Sequence, residues 1–132
     1  MMKQILIIED DPIFTFLLQT AIKSAELEGE IYKFSNGLLA QEYLKKEYKS
    51  TKEYIIFLDL NMPVMNGWIF LDELKNIADP QNSLVFILTS SKDKNDSENL
   101  KKNPFVTDFI SKPINESIIR SLKEIIVSRF AS

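Results

Sequence analysis

The chain has 132 residues, of which 45% are hydrophobic and 27% are charged, and its formal net charge is −3. These values fit one soluble domain with a real core and give no electrostatic case for nucleic-acid binding. The sequence has no cysteine and no histidine, which excludes disulfides, thiol catalysis, histidine bases and a histidine phosphodonor. Since no apolar run is long enough for a signal peptide or a membrane span, we expect a cytoplasmic protein without a membrane partner.

Five short apolar runs alternate along the chain with longer amphipathic segments. The runs predict β-strands at residues 4–8, 30–34, 54–58, 84–88 and 107–110. Residues 54–58 are apolar throughout, which indicates a strand buried on both faces. Strands that alternate with helices predict βαβ units and a parallel sheet. The expected fold class is therefore α/β, a flavodoxin-like (βα)5 doubly wound sandwich with five parallel strands in the order 2-1-3-4-5.

Capping residues and apolar residues at helical spacing predict the helices between these strands. The first helix is predicted to have its N-cap at Asp11 and Pro12 as its first residue. The second is predicted to start near Asn36–Gly37, and the third to start near Gly67 and end at Asp79–Pro80. The residues expected to face the core are Phe14, Leu17, Leu18, Ala21 and Ala25, then Leu39, Tyr43 and Leu44, then Phe70, Leu71 and Leu74, and finally Ile118, Leu122, Ile125 and Ile126. The fourth helix has only Leu100 to bury, with a capping pair at Asn95 and Glu98, so we expect it to be locally unstable.

Acidic side chains follow the first and third predicted strands where each strand ends. Glu9, Asp10 and Asp11 follow the first strand, and Asp59 closes the apolar run of the third. Open α/β sheets bind ligands at this edge, and clustered carboxylates favour a hard cation between them. Asp11 is better interpreted as an N-cap than as a ligand. Taken singly, Glu9–Asp10 could equally be a solvated turn, and Asp59 could simply cap its own turn.

Four separated motifs carry a family resemblance. They are Glu9–Asp10, Asp59 with Met62–Pro63 and Asn66–Gly67, Thr89–Ser90, and Lys112–Pro113. In order and spacing they resemble the motifs of response-regulator receiver domains, over essentially the whole chain. The resemblance implies a phosphoprotein of two-component signalling, which takes a phosphoryl group from a histidine kinase or phosphotransfer protein. We expect one receiver domain over residues 1–132 with no output domain, similar to the single-domain chemotaxis type, whose signal passes to an unknown downstream protein.

The resemblance also implies individual roles at the site. Asp59 would be the phosphoacceptor, and Mg²⁺ would be held by Asp10, Asp59 and the backbone carbonyl of Asn61, with Glu9 acting through a bound water. Mn²⁺ or Ca²⁺ could substitute for Mg²⁺. Lys112, which precedes a typically cis peptide bond, would pair with the phosphate, and Thr89 would donate its hydroxyl to a phosphoryl oxygen.

Signalling and dephosphorylation are implied in the same way. Thr89 would move inward on phosphorylation, and Phe109, a position where many family members have tyrosine, would follow it. The changed surface would be the fourth helix, the last strand and the last helix. Asn61 and Ser91 would tune hydrolysis of the acyl phosphate. The resemblance implies no enzyme activity beyond self-phosphorylation from phosphodonors and self-dephosphorylation.

Two alternatives remain at this stage. An aspartate-nucleophile phosphatase of the haloacid dehalogenase type uses a second aspartate two residues after the nucleophile, and that position here is Asn61, which cannot exchange protons usefully. A phosphorylation-independent interaction module on the same fold usually has a broken acidic site, whereas this sequence has every element of the site.

Overall fold

Strands and helices alternate along the whole of the computed structural model, which describes residues 1–62, 64–90 and 97–131. The elements are β1 (Lys3–Ile8), α1 (Pro12–Ser24), β2 (Glu30–Phe34), α2 (Gly37–Glu47), β3 (Glu53–Asp59), α3 (Gly67–Leu74), β4 (Ser83–Thr89), α4 (Ser97–Lys101), β5 (Val106–Ser111) and α5 (Glu116–Phe130). All five predicted strands are present, with ends that differ by at most one residue from the predicted ones. None of the helices in the described part of the chain has the length and apolar character that a bilayer span requires.

The strands form one sheet in the order β2-β1-β3-β4-β5, and every neighbouring pair is parallel. This confirms the flavodoxin-like fold class. Because the strands are parallel and in register, their carboxyl ends meet at one edge. Ile8 of β1 pairs with Leu58 of β3, so that Glu9 and Asp59 follow at the same level of the sheet. At the far side of the same edge, Thr89 of β4 pairs with Ser111 of β5.

Each face of the sheet is covered by helices, which gives two hydrophobic clusters. The first cluster lies under α1 and α5 and contains Ile5, Ile7, Phe14, Leu18, Phe57, Phe86, Leu122 and Ile126. The second lies under α2, α3 and α4 and contains Leu6, Ile8, Ala40, Leu44, Leu58, Phe70, Leu71 and Leu100. All seven residues of β3 are buried, as expected for a central strand with helices on both faces.

The predicted starts of α1, α2 and α3 are confirmed, and in these helices and in α5, whose start was not predicted, the residue before the helix caps it. Asp11 accepts a hydrogen bond from the backbone N–H of Ile13 at 2.9 Å, which supports its interpretation as an N-cap. Three asparagines do the same for α2, α3 and α5, namely Asn36, Asn66 and Asn115. A side-chain oxygen at this position satisfies a backbone donor that the helix itself cannot pair. The predicted cap of the fourth helix at Asn95 lies outside the described residues.

Some predicted core positions and one predicted helix end are wrong. Leu17 and Leu39 are 51% and 45% exposed, because they lie at the margins of the buried stripes of α1 and α2. Buried apolar side chains that periodicity left out include Ile22, Ala40 and Ile119. Helix α3 ends at Leu74 rather than at Asp79–Pro80, and the chain continues in turns in which Ile77 and Ala78 both donate backbone hydrogen bonds to the Leu74 carbonyl.

Candidate functional site

Three carboxylates meet at the carboxyl edge of the sheet. Glu9, Asp10 and Asp59 each place a carboxylate oxygen within 4.8 Å of the others, and we refer to them as the acidic site. Glu9 and Asp59 are only 3% and 7% exposed, whereas Asp10 is exposed. The backbone N–H of Glu9 donates to the carbonyl of Phe34, which extends the ladder between β1 and β2 and fixes Glu9. The structure thus brings together the acidic residues that the sequence placed at two strand ends.

The fourth charged group of the site is Lys112, which follows β5. Its backbone N–H donates to the Thr89 carbonyl at 2.9 Å, and its peptide bond to Pro113 is cis. Its Nζ lies 2.5 Å from Glu9 Oε1 and 3.9 Å from Asp59 Oδ2. The resemblance assigns Lys112 to a phosphate and Glu9 to a metal-bound water, and the direct contact between these two side chains was not predicted.

The crowded charges shift the pKa values of the site. Burial, followed by the hydrogen bond shared with Asp59, raises the pKa of Glu9 above its ordinary 4.5. Burial and the neighbouring Glu9 raise the pKa of Asp10 in the same direction. Burial works against the charged form of Lys112, but the hydrogen bond to Glu9 and the charge of Asp59 outweigh it, so that the pKa of Lys112 is raised. Because three carboxylates surround one ammonium, a further positive charge at the site would be electrostatically favourable.

The donor set fits a divalent cation such as Mg²⁺. Carboxylate oxygens are hard ligands, and Mg²⁺ is usually bound by one or two carboxylates while it keeps several waters. The N–H of Asn61 donates to Asp59 Oδ1 at 3.2 Å, which keeps the backbone of Asn61 beside this carboxylate. The site therefore contains each residue that the resemblance assigns to the metal. Asp11 is engaged as the cap of α1, although its N–H also donates to Glu9 Oε2 at 3.3 Å.

Two glycines allow the loop after Asp59 to pack closely against neighbouring backbone. A Cβ on Gly67 would lie 2.6 Å from the Asp59 carbonyl oxygen and 2.7 Å from the Leu60 Cα. A Cβ on Gly37 would lie 2.8 Å from the Met65 carbonyl oxygen. A permissive backbone was the reason expected for Asn66–Gly67, but Gly67 has no positive φ, and the close approach of the Asp59 and Leu60 backbone is what requires glycine there. Pro63, in the same loop, lies outside the described residues.

The residues assigned to switching lie on β4 and β5. Thr89 ends β4, and its hydroxyl donates to the Ile110 carbonyl at 3.4 Å. Phe109 of β5 is half-buried and packs against the second hydrophobic cluster. Ile87 pairs with Phe109, so their side chains lie on the same face of the sheet. Thr89 is two residues after Ile87 on β4 and therefore projects from that face as well. Ser91, which the resemblance assigns to hydrolysis, lies outside the described residues.

Two features of the site were not predicted from the sequence. The ring of Phe14 on α1 lies under Lys112, with Nζ 4.4 Å from the ring centroid. A cleft of about 500 Å³ also leads from Glu9 and Asp10 between α1 and the β2–α2 connection, where it is lined by Phe16, Lys33 and Leu39 among others. No local pattern reveals either feature, because both join segments that are distant along the chain.

The fold and the site together define a receiver domain. Acidic residues follow β1 and end β3, a threonine ends β4, and a lysine follows β5. The family model for the response regulator receiver domain matches residues 5–124. The chain therefore belongs to the response-regulator receiver family of two-component systems.

Individual relatives support this assignment. The response regulator Rcp1 of Synechocystis sp. is 33% identical over 97 residues, which cover 71% of this chain and 66% of Rcp1. The chain thus spans just under two thirds of that relative. The chemotaxis protein CheY of Thermotoga maritima is 30% identical over 126 residues, which cover 93% of this chain and 97% of CheY.

Solved structures show the same fold. A two-component response regulator from Cytophaga hutchinsonii superposes with a TM-score of 0.81 at 30% identity and covers 96% of this chain and 98% of its own. The receiver domain of a sensor histidine kinase from Pseudomonas aeruginosa, solved with a magnesium ion coordinated in its active site cleft, has a TM-score of 0.74 at 19% identity and full coverage of both chains. At that identity the second likeness concerns the fold alone.

Proposed function

We propose that this chain is a phosphoacceptor switch in which Asp59 receives a phosphoryl group from a histidine kinase or phosphotransfer protein. The observation that carries the proposal is the buried Asp59 carboxylate between the other acids and the Lys112 ammonium. In the transfer, an Asp59 oxygen attacks phosphorus and forms an acyl phosphate. The bond from phosphorus to the donor nitrogen breaks, and the leaving imidazole takes up a proton.

Each residue of the site would have a separate role in phosphoryl transfer or in the later hydrolysis. Glu9, Asp10, Asp59 and the Asn61 carbonyl would hold Mg²⁺, which when bound neutralises charge on the transferred group. The clustered carboxylate oxygens support this choice of ion. Lys112 would shift from Glu9 toward a phosphoryl oxygen as a point charge. Asn61 and Ser91 would orient the water that later hydrolyses the acyl phosphate.

The output would be a shift between two states of the domain. In the described state the Thr89 hydroxyl donates a hydrogen bond to the Ile110 carbonyl at 3.4 Å. A phosphoryl oxygen on Asp59 would compete for this hydroxyl, and Phe109 would follow Thr89 inward. The surface of α4, β5 and α5 would then change and would signal to a partner protein. The phosphoryl group shifts the equilibrium only by its differential affinity for the two states.

The donor protein would approach over α1. The cleft between α1 and the β2–α2 connection opens onto Glu9 and Asp10. Two apolar side chains that line it, Phe16 and Leu39, are 66% and 45% exposed, and Ile13 on the same helix as Phe16 is 71% exposed. Apolar residues exposed near a site favour contact with another protein, and a protein seated there would lie against Glu9 and Asp10, the neighbours of Asp59 in the acidic site.

The test is intact mass after incubation with acetyl phosphate, with and without Mg²⁺. We expect one added phosphoryl group on the unchanged protein that requires Mg²⁺, and none on Asp59→Asn. Asp72→Asn is the matched control, because Asp72 is an exposed aspartate of α3 whose ion-pair partner is Lys75, at 3.5 Å. Absence of any adduct, together with unchanged partner binding by Asp59→Asn, would instead favour the phosphorylation-independent interaction module.

A further inference from the structure

The Lys112 ammonium has an aromatic neighbour in addition to its two carboxylates. Its Nζ lies 4.4 Å from the ring centroid of Phe14, while Glu9 Oε1 is 2.5 Å away and Asp59 Oδ2 is 3.9 Å away. Phe14 is only 8% exposed and belongs to the hydrophobic cluster under α1 and α5. The ring is therefore fixed by packing on one side and presents a face to the site on the other.

An aromatic face attracts an ammonium group because the ring quadrupole places negative charge above and below its plane. The attraction acts within about 6 Å of the centroid and strengthens when the pair is partly removed from water. The Lys112 side chain is 28% exposed, so it is largely shielded from solvent. Its long stem could otherwise carry the charge out into water. An aliphatic side chain at position 14 could fill the same core volume but would offer no such attraction.

We propose that Phe14 is a positioning residue for Lys112, whose ring holds the ammonium beside Asp59. Glu9 cannot hold the Lys112 ammonium when a divalent cation is bound, because Glu9 belongs to the acidic site that the cation would occupy. Such a cation would compete for the Glu9 carboxylate and repel the ammonium. The Phe14 ring is not a ligand of the cation, so its contact with Lys112 persists. The effect of Phe14 on phosphoryl transfer rests on the proposed function, whereas the contact itself does not.

The contact can be measured without phosphorylation. Protons held over a ring face resonate upfield, so the ε-methylene signal of Lys112 in lysine-labelled protein should be shifted by NMR. Lys112→Arg identifies the signal. We expect the shift in the Mg²⁺-free and the Mg²⁺-saturated protein, and its loss in Phe14→Leu. Leu18→Met, at a fully buried position of the same helix and cluster, should retain it.

The positioning role is tested by the rate of phosphorylation from acetyl phosphate at saturating Mg²⁺. We expect Phe14→Leu to lower this rate about three- to tenfold, from the usual strength of a partly desolvated ammonium–aromatic contact. Leu18→Met should change it less than about twofold. Mono-, di- and trifluorinated phenylalanine at position 14 should lower the rate in that order, because fluorine weakens the ring's negative face while hardly changing its size. A merely structural role would not produce this order.

Two results would overturn the inference and leave the proposed function in place. One is a Lys112 ε-methylene signal without an upfield shift in the unchanged protein. The other is an upfield-shifted signal combined with equal rates across the fluorinated series. If the unchanged protein takes up no phosphoryl group, the proposed function and the rate effect both fail. In that case the NMR signal still decides whether the ring holds the ammonium.

Discussion

At the scale of single residues, the loop after the phosphoacceptor candidate contains a backbone conformation that its side chain disfavours. Val64 has a φ of 69° and is 76% exposed. A β-branched residue in the left-handed region is a genuine outlier, since Cβ crowds the following carbonyl oxygen. The exposed side chain offers little packing to compensate for this strain.

Replacing Val64 by a residue that tolerates this conformation should therefore stabilise the protein. We expect Val64→Asn to raise the free energy of unfolding by about 1 kcal/mol, because asparagine visits the left-handed region more readily. Val127→Asn is the matched control, since Val127 is 65% exposed but lies within helix α5, where asparagine gains nothing. Urea denaturation measures both variants. A Val64→Asn protein no more stable than the unchanged one would refute the strain.

The raised pKa of Glu9 predicts how the Mg²⁺-free protein responds to pH. Burial makes this carboxyl hold its proton more tightly in the folded than in the unfolded chain, where its pKa is near 4.5. Its contribution to stability is therefore complete below 4.5 and is lost as the pH rises through the higher folded-state pKa. The pKa of Asp10 is raised in the same direction, so it adds to the loss.

The measurement is the free energy of unfolding against pH in the presence of a chelator. We expect the stability of the unchanged protein to fall relative to that of Glu9→Gln as the pH rises from about 4.5 toward neutrality. Added Mg²⁺ should offset the fall, because the cation binds the deprotonated acids. The same pH dependence in Glu9→Gln as in the unchanged protein would contradict the assignment to Glu9.

At the scale of secondary-structure elements, α4 is the weakest helix of the described part of the chain. It contains five residues, Ser97–Lys101, and Leu100 is its only large buried side chain. Helix α5 has 15 residues and buries Ile119, Leu122 and Ile126. A short helix with one anchor gains little from packing and cannot offset the cost of its own nucleation.

Native-state hydrogen exchange should separate these two helices. We expect the amides of 99–103 to exchange much faster than those in the middle of α5, and to do so by local opening rather than global unfolding. Added denaturant distinguishes the two routes, since local opening exposes little surface and is almost independent of it. Equal protection in α4 and α5 would contradict the local instability that the proposed switch uses.

The elements also show how far sequence periodicity reaches. The strands and the N-cap at Asp11 were predicted because each depends on local chemistry, such as an apolar run or a carboxylate directly before a proline-led helix. Periodicity located the centre of each buried stripe but not its margins, so Leu17 and Leu39 were assigned to the core although they are exposed. The margin of a stripe is set by the neighbouring helix, which the local sequence does not specify.

At the scale of the whole molecule, the parallel register explains why the acidic site was predictable. Once β1 and β3 are neighbours in a parallel sheet, residues that follow their ends must meet at one edge, as Glu9 and Asp59 do. The contacts of Lys112 with Glu9 and with the Phe14 ring could not be predicted in this way. They depend on the packing of α1 against the end of β5 and on the side-chain conformation of the lysine.

The most direct test of the account is to locate the phosphoryl group on the chain. Borohydride reduces an aspartyl phosphate to homoserine, which peptide mass spectrometry identifies by position. After incubation with acetyl phosphate and Mg²⁺, we expect homoserine at Asp59 alone, and none when Mg²⁺ is chelated. Homoserine at another aspartate, or at Asp59 regardless of Mg²⁺, would contradict the claim that the acidic site and its cation direct phosphorylation to this residue.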